Sequence, residues 1–269
     1  MGRQMLVFGI ARGFRAIILA CGVALMSPAA SLAAATLNSS GPIDLRDSSA
    51  EPFGLLTSQP SGGGLRDKWL GVEHELDDEL LVLALCQEDR LSCRSLPALQ
   101  FLAIVDNAKA REGRARLGEI NRAINLAIRP VSDLVQYGSI DVWSSPLATF
   151  ARGAGDCEDY AIAKLVALRV SGIAAEDLRL VILRDTIRQE DHAVVAARLD
   201  GRWLMLDNRR MAMVEDAQLR NYRPTFVIDH QGVRQYSDAP MLLVGRNSDV
   251  DAAQAISAAS PGGIGSGGN

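Results

Sequence analysis

Apolar residues change their spacing once along this chain, and that change restricts the fold more than any other feature. Up to Val170 they recur at the 3.6-residue period of a helix; after Leu178 they come in short runs of strand length. Leu117, Ile120, Ala123, Ile124 and Ile128 share one helical face, and Pro130 stops the helix that carries them. Leu76 to Leu85 is apolar with acids at its start, which suits the positive end of a helix. Ser95 can cap a helix running through Pro97 and Phe101 to Ala110. Asp156 to Val170 is a further helix, with Ala161, Leu165 and Leu168 on its buried side. Then Leu178 to Leu183 reads as a buried strand. Ala193–Leu199 and Trp203–Leu206 flank Asp200-Gly201, a two-residue hairpin signal. Thr225–Ile228 and Met241–Val244 are further strand candidates. Helices first and a mainly antiparallel sheet afterwards make an α+β domain.

Both ends fall outside this pattern. Arg3, Arg12 and Arg15 precede an uninterrupted apolar run from Ala16 to Met26, and Ser31-Leu32-Ala33 supplies small residues for cleavage. That is the order of a secretory signal peptide over residues 1–33, and its apolar run is too short to span a bilayer. The expected mature protein therefore has no transmembrane segment and is periplasmic. Residues 34–66, rich in Ser, Gly and Pro, read as a flexible lead-in, 67–246 as one domain, and the Gly-rich 247–269 as a disordered tail. Losing the three leader arginines leaves 25 basic against 32 acidic residues, moving the net charge from −4 to −7. A chain of that sign, without a basic stripe, excludes nucleic acid as the expected partner.

Cys21 leaves with the leader. Cys86 and Cys93 would lie about 10.5 Å apart along a continuous helix, too far to bridge. The polar stretch Gln87-Glu88-Asp89-Arg90 permits a turn, so the pair is a disulfide candidate in an oxidising compartment, or else two separately buried thiols. Cys157 is unpaired either way, which in an exported protein calls for an explanation.

Gly153-Ala154-Gly155-Asp156-Cys157 puts that cysteine at the start of a helix, after two glycines that allow a tight turn and close backbone approach. Unpaired N–H groups at a helix start favour a thiolate and can receive an oxyanion. The plainer reading is a small buried residue. A thiolate catalyst needs a base, and three histidines are available. His74 lies among acids and His230 in a turn, whereas His192 opens an apolar strand. With Asp200-Gly201 as the central turn residues, cross-strand partners sum to 401, so Val194 faces Asp207 and His192 faces Arg209. His192 and Asp207 then share a face as diagonal neighbours, within reach of one another. A slip of one residue would separate them. Cys157 as nucleophile, His192 as base and Asp207 as its orienting acid follow from this register. A second oxyanion donor must come from upstream, from Trp143 or Gln136, which read equally well as a core aromatic and a solvated amide.

Asp141-Val142-Trp143-Ser144-Ser145-Pro146, Gly153 through Lys164, His192-Ala193-Val194 and Leu206-Asp207-Asn208 together resemble the bacterial transglutaminase-like cysteine proteinases. The resemblance spans residues 67 to 240 and rests on four linked motifs in one order. It implies a papain-like, transglutaminase-type core, N-terminal helices followed by a mainly antiparallel sheet, with Cys157, His192 and Asp207 as the triad. Better-known members are periplasmic calcium-dependent proteases that clip a surface adhesin and release biofilm cells, under an inner-membrane receptor. The resemblance also implies that Asp156 and Glu158 are calcium ligands, with Asp159 a third. Like charge around a thiolate raises its pKa, and a dication held by the carboxylates would reverse that; otherwise the acids complement a helix N-terminus. The expected activity is endopeptidase cleavage of a protein substrate through a thioester. Acyl transfer to an amine, or peptide binding without cleavage, are the alternatives.

Overall fold

The computed structural model describes residues 51–60 and 62–237. The leader, the strand expected at Met241–Val244 and the tail lie outside the described residues. The elements are β1 (Thr57–Ser58), α1 (Gly64–Glu88), α2 (Leu96–Lys109), α3 (Gly113–Ala127), β2 (Arg129–Pro130), α4 (Asp133–Tyr137), α5 (Pro146–Arg152), β3 (Ala154–Gly155) and α6 (Cys157–Val170). They continue with β4 (Leu178–Asp185), β5 (Glu190–Leu199), β6 (Arg202–Leu206), β7 (Val214–Glu215), β8 (Tyr222–Asp229) and β9 (Gly232–Tyr236). The fold is α+β. A seven-stranded sheet in the order β1-β9-β8-β4-β5-β6-β7, antiparallel throughout, follows the helices.

Helix α6 is the axis of the domain. Every residue from Asp159 to Leu168 is buried, because the sheet covers one side and α2, α3 and α5 cover the others. The sequence pattern suggests one buried face; three flanking helices turn that into burial all round. Leu180, Ala193, Val195, Leu204, Leu206 and Ile228 join α6 and the helical layer in one core, while Val181, Leu183, Val194, Trp203, Met205 and Tyr222 form a second on the other sheet face. The strict alternation along β4, β5 and β6 puts successive residues into opposite cores.

The β5–β6 hairpin turns at Asp200 (φ 51°) and Gly201 (φ 80°), both left-handed as a type I′ turn needs. Its pairs run from Leu199 opposite Arg202 to Val195 opposite Leu206, the register in which partners sum to 401. The N-terminal helices begin earlier than the sequence suggests, and the lead-in read as 34–66 is folded in its last part. Thr57–Ser58 pairs with the edge strand β9, and Glu51 is buried, bonding Arg179 (2.8 Å) and Arg234 (2.8 Å) of the sheet. A buried ion pair and an edge strand were not visible in its Ser/Gly/Pro composition. Cys86, on the last turn of α1, is joined to Cys93 by a disulfide, the chain reversing between them.

Candidate active site

Gly155 ends β3, which pairs in parallel with β2. That short ladder fixes the chain just before α6. A Cβ on Gly155 would sit 2.7 Å from both Cβ and Oδ2 of Asp159, so only glycine permits the turn into α6. Asp159 uses that proximity: Oδ1 accepts the Ser144 N–H at 2.9 Å and Oδ2 the Asp156 N–H at 3.4 Å. The same carboxylate thus anchors the helix start and the Trp143–Ser144 segment. Glu79 of α1 anchors the next stretch, accepting the Ser145 hydroxyl (2.7 Å) and the N–H groups of Leu147 (2.9 Å) and Ala148 (3.1 Å) at the start of α5. Burial raises its pKa, against the lowering effect of those bonds.

Cys157 occupies the first turn of α6 and is the free cysteine of the described residues. Its sulfur donates to Glu158 Oε2 at 2.9 Å and receives a hydrogen bond from the Ala193 N–H of β5. Burial first, then the Glu158 carboxylate and more weakly that of Asp156, push the thiol well above its ordinary range; the Ala193 N–H works the other way. His192 immediately precedes Ala193 in the strand. Its imidazole is 1 % exposed, with Nε2 2.9 Å from Asp207 Oδ1 and Nδ1 buried without a hydrogen-bond partner.

Asp207 is the best-tethered carboxylate of the site. Besides His192, its Oδ1 accepts the Arg209 N–H (2.9 Å) and its Oδ2 the Tyr222 hydroxyl (2.7 Å); Arg210 Nε lies at 3.9 Å. Burial alone would raise its pKa. The bond and charge of His192, the Arg209 N–H and the Tyr222 hydroxyl outweigh burial and hold the carboxyl far below its usual range. An ionised Asp207 has only acceptors to offer, so Nε2 of His192 carries the hydrogen between them, and in the neutral ring the lone pair is on Nδ1. The Tyr222 ring packs edge-on against the imidazole, centroids 5.9 Å apart. From α3, Asn125 Nδ2 holds the Asp207 carbonyl (3.0 Å) and Asn121 Nδ2 those of Arg210 and Met211.

The three residues read as a triad are therefore near neighbours in the fold: Cys157 bonds the strand residue next to His192, and His192 bonds Asp207. His74 and His230 are both exposed. The two upstream oxyanion candidates differ from expectation. Trp143 Nε1 donates to Asp141 Oδ1 (2.9 Å) and Gln136 Nε2 to the Val131 carbonyl (3.0 Å), so each has a local acceptor.

Of the acids read as metal ligands, Asp156 and Asp159 come together, and a third partner is Asp133 rather than Glu158. One oxygen from each of Asp133, Asp156 and Asp159 lies within 4.8 Å of the others. Glu158 lies beside this group, hydrogen-bonded to the Asp156 side chain and to the Cys157 thiol. Asp133 Oδ1 and Asp156 Oδ1 are buried with no hydrogen-bond donor, although Asp133 Oδ2 accepts the Val142 N–H at 2.5 Å. Burial and the neighbouring carboxylates raise Asp156 to about 9 and Asp159 to about 7. Orphaned hard oxygens crowded in a desolvated cluster fit a hard dication. Asp133 lies 24 residues from Cys157, and only the turn from β2 into α4 brings it here. Tyr222 was equally hidden, on a strand identified in sequence only from Thr225.

A cysteine on a buried helix start beside a His–Asp pair on an antiparallel hairpin defines a class, the thiol hydrolases built on the papain-like and transglutaminase-type core. Within that class, the model of the bacterial transglutaminase-like cysteine proteinases, BTLCP, matches residues 82–235. The match takes in more than half of the chain; the chain belongs to this family and is a cysteine peptidase acting on protein. Comparison with curated proteins finds no match. Among solved structures, LapG of Legionella pneumophila is 21% identical, with a TM-score of 0.48 over 64% of this chain and 92% of that one. Calcium-bound LapG of the same organism is 20% identical, TM-score 0.48, over 64% and 97%. No helix among the described residues is long and apolar enough to cross a membrane.

Proposed function

We propose that the chain is an exported, calcium-dependent cysteine endopeptidase in which Cys157 is the nucleophile, His192 the base and Asp207 the carboxylate that orients it. The observation that carries this reading is the buried His192–Asp207 bond, Nε2 to Oδ1 at 2.9 Å, which leaves Nδ1 without a partner in the residue next to the one that bonds the Cys157 sulfur. A base must present a lone pair near the proton it removes, and an Nδ1 with no bond of its own is free to serve the neighbouring thiol.

In the reaction, His192 Nδ1 takes the thiol proton and the sulfur forms a bond to the carbonyl carbon of the substrate. First-turn N–H groups of α6, which lack acceptors within the helix, receive the developing oxyanion. The carbon–nitrogen bond then breaks, with the proton passing from His192 to the departing amine. Water, deprotonated by His192, cleaves the thioester and returns the thiol. Asp207 stays ionised throughout and stabilises the imidazolium. Asp133, Asp156 and Asp159 would hold the calcium, with Glu158 close by. A bound ion would offset the carboxylate charge that adds to burial in raising the thiol's pKa. The leader and the exported location rest on the Arg-rich start and short apolar run. Cleavage of a surface adhesin under a membrane receptor rests on the family resemblance.

Incubation of the mature protein with peptides from the exported proteins of its host, followed by labelling of new N-termini, tests the reading. Cleavage that requires Cys157 and calcium supports it. Incorporation of an added primary amine in place of new N-termini would make the enzyme an acyl transferase, and peptide retention without cleavage would make it a binding module.

A further inference from the structure

Lys164 ends the run of motif residues that begins at Gly153, and the mechanism above gives it no part. It is 0 % exposed, and its Nζ has no hydrogen-bond partner. An ammonium so placed is costly, by several kcal/mol in general, unless something nearby compensates. The Tyr160 ring, centroid 5.8 Å from Nζ, offers a modest cation–π contact. Seven residues are two helical turns, so Lys164 lies on nearly the same face of α6 as Cys157. That face meets β5, and the carboxylate whose field reaches Nζ is Asp207. Around the same turn, the side-chain oxygens of Asn121, Asn125 and Asn208 carry no donor, which adds to its negative potential.

Strand β4 packs on α6 through Leu178, Leu180 and Ile182, β3 is Ala154-Gly155, and the helices against α6 bring no opposing charge either. The buried side chains of α2 (Ala98, Phe101, Leu102, Val105, Ala108), α3 (Leu117, Ile120, Asn121, Ile124) and α5 (Pro146, Leu147, Thr149, Phe150) are all uncharged. On α6 itself the titratable neighbours are Tyr160 and, a turn or more away, Asp159, Glu158 and Cys157. On the sheet side they are Asp207 and the groups bonded to or facing it: His192, Tyr222 and Arg210.

We infer that Lys164 is a positioning residue for the triad, a second, buried counter-charge to Asp207 that competes with His192 for the field of that carboxylate. The inference rests on the triad reading. Asp207 carries one negative charge, and a proton on Lys164 weakens the hold of His192 on its own proton, by like-charge repulsion across a desolvated core. Burial brings Lys164 down to about 7, with Asp207 opposing. The poise of the imidazole, and hence its readiness to take the thiol proton, is then set from inside the helix that carries the nucleophile.

The test is NMR titration of His192 in the mature protein carrying Cys157→Ser, which removes coupling to the thiol, with and without Lys164→Met. Only three histidines need assignment. The Met variant should hold the His192 proton about one pH unit higher. An unchanged titration in a folded variant overturns the inference. Should the Met variant fail to fold, the unsubstituted lysine answers the same question. The chain has three lysines, Lys68, Lys109 and Lys164, so a carbon-13 lysine label resolves Lys164 directly. Titration of its signal near neutrality, in step with that of His192, supports the inference, and a single step in the range of an exposed lysine overturns it. None of these readouts needs turnover, so loss of the peptidase reading, seen as absent cleavage by the unmodified protein, is recognised separately.

Discussion

Removing the Tyr222 hydroxyl isolates one bond of the site. In Tyr222→Phe the ring still packs against His192 and in the second core, but Asp207 Oδ2 loses its 2.7 Å donor and keeps only Arg210 at 3.9 Å. A hydrogen bond to a buried charge contributes about 1.5–3 kcal/mol. For a domain of this size that is a fall in Tm of about 3–12 °C, measured by calorimetry at pH 7. The pH dependence supplies the sharper check. The folded pKa of Asp207 is depressed, so its contribution is present above the unfolded value of about 3.9 and is lost as pH falls toward the folded one. The gap between the two proteins should therefore narrow below about pH 4. In a double-mutant cycle with Asp207→Asn, the two substitutions should couple rather than add. A change in Tm below 1 °C, or a gap independent of pH with strictly additive effects, would refute the placement of Tyr222 on the carboxylate.

Gly155→Ala should destabilise by about 1–3 kcal/mol, because the new methyl meets Asp159 at 2.7 Å and pushes it from Ser144 and Asp156; chemical denaturation reads it, and unchanged stability would show that Asp159 yields freely. Replacing Cys86 and Cys93 together by serine opens a loop of seven-residue separation, worth about 2–3 kcal/mol, visible as a lowered denaturation midpoint with the same slope. Calcium at one hundred times its dissociation constant should add about 2.7 kcal/mol and raise Tm. Asp133→Asn should abolish that rise, since it removes a charged member of the cluster, whereas the same rise in the variant would move the ion elsewhere.

The hairpin was legible because a two-residue turn fixes register: once Asp200 and Gly201 take positive φ, every pair from Leu199 outward is determined, including the diagonal of His192 and Asp207. Cys157 was legible because a helix start after close-packed glycine is a local pattern. Asp133 and Tyr222 were not, since each reaches the site through a tertiary approach, one by a turn after β2, the other by strand order β8-β4-β5. Lys164 was read as part of a motif without a role, as burial on all sides of α6 depends on three other helices. Glu51 was taken for lead-in because its partners, Arg179 and Arg234, lie more than a hundred residues away.

The most direct measurement is the rate at which iodoacetamide alkylates Cys157 in the mature protein with calcium, located by peptide mapping. Cys86 and Cys93 are joined in the disulfide, which leaves Cys157 the free thiol of the described residues. A catalytic triad requires alkylation well above that of a free thiol at pH 7, falling on the order of tenfold or more in His192→Ala and on chelation of calcium. Alkylation no faster than a free thiol, unchanged by either perturbation, would mean that His192 does not activate Cys157.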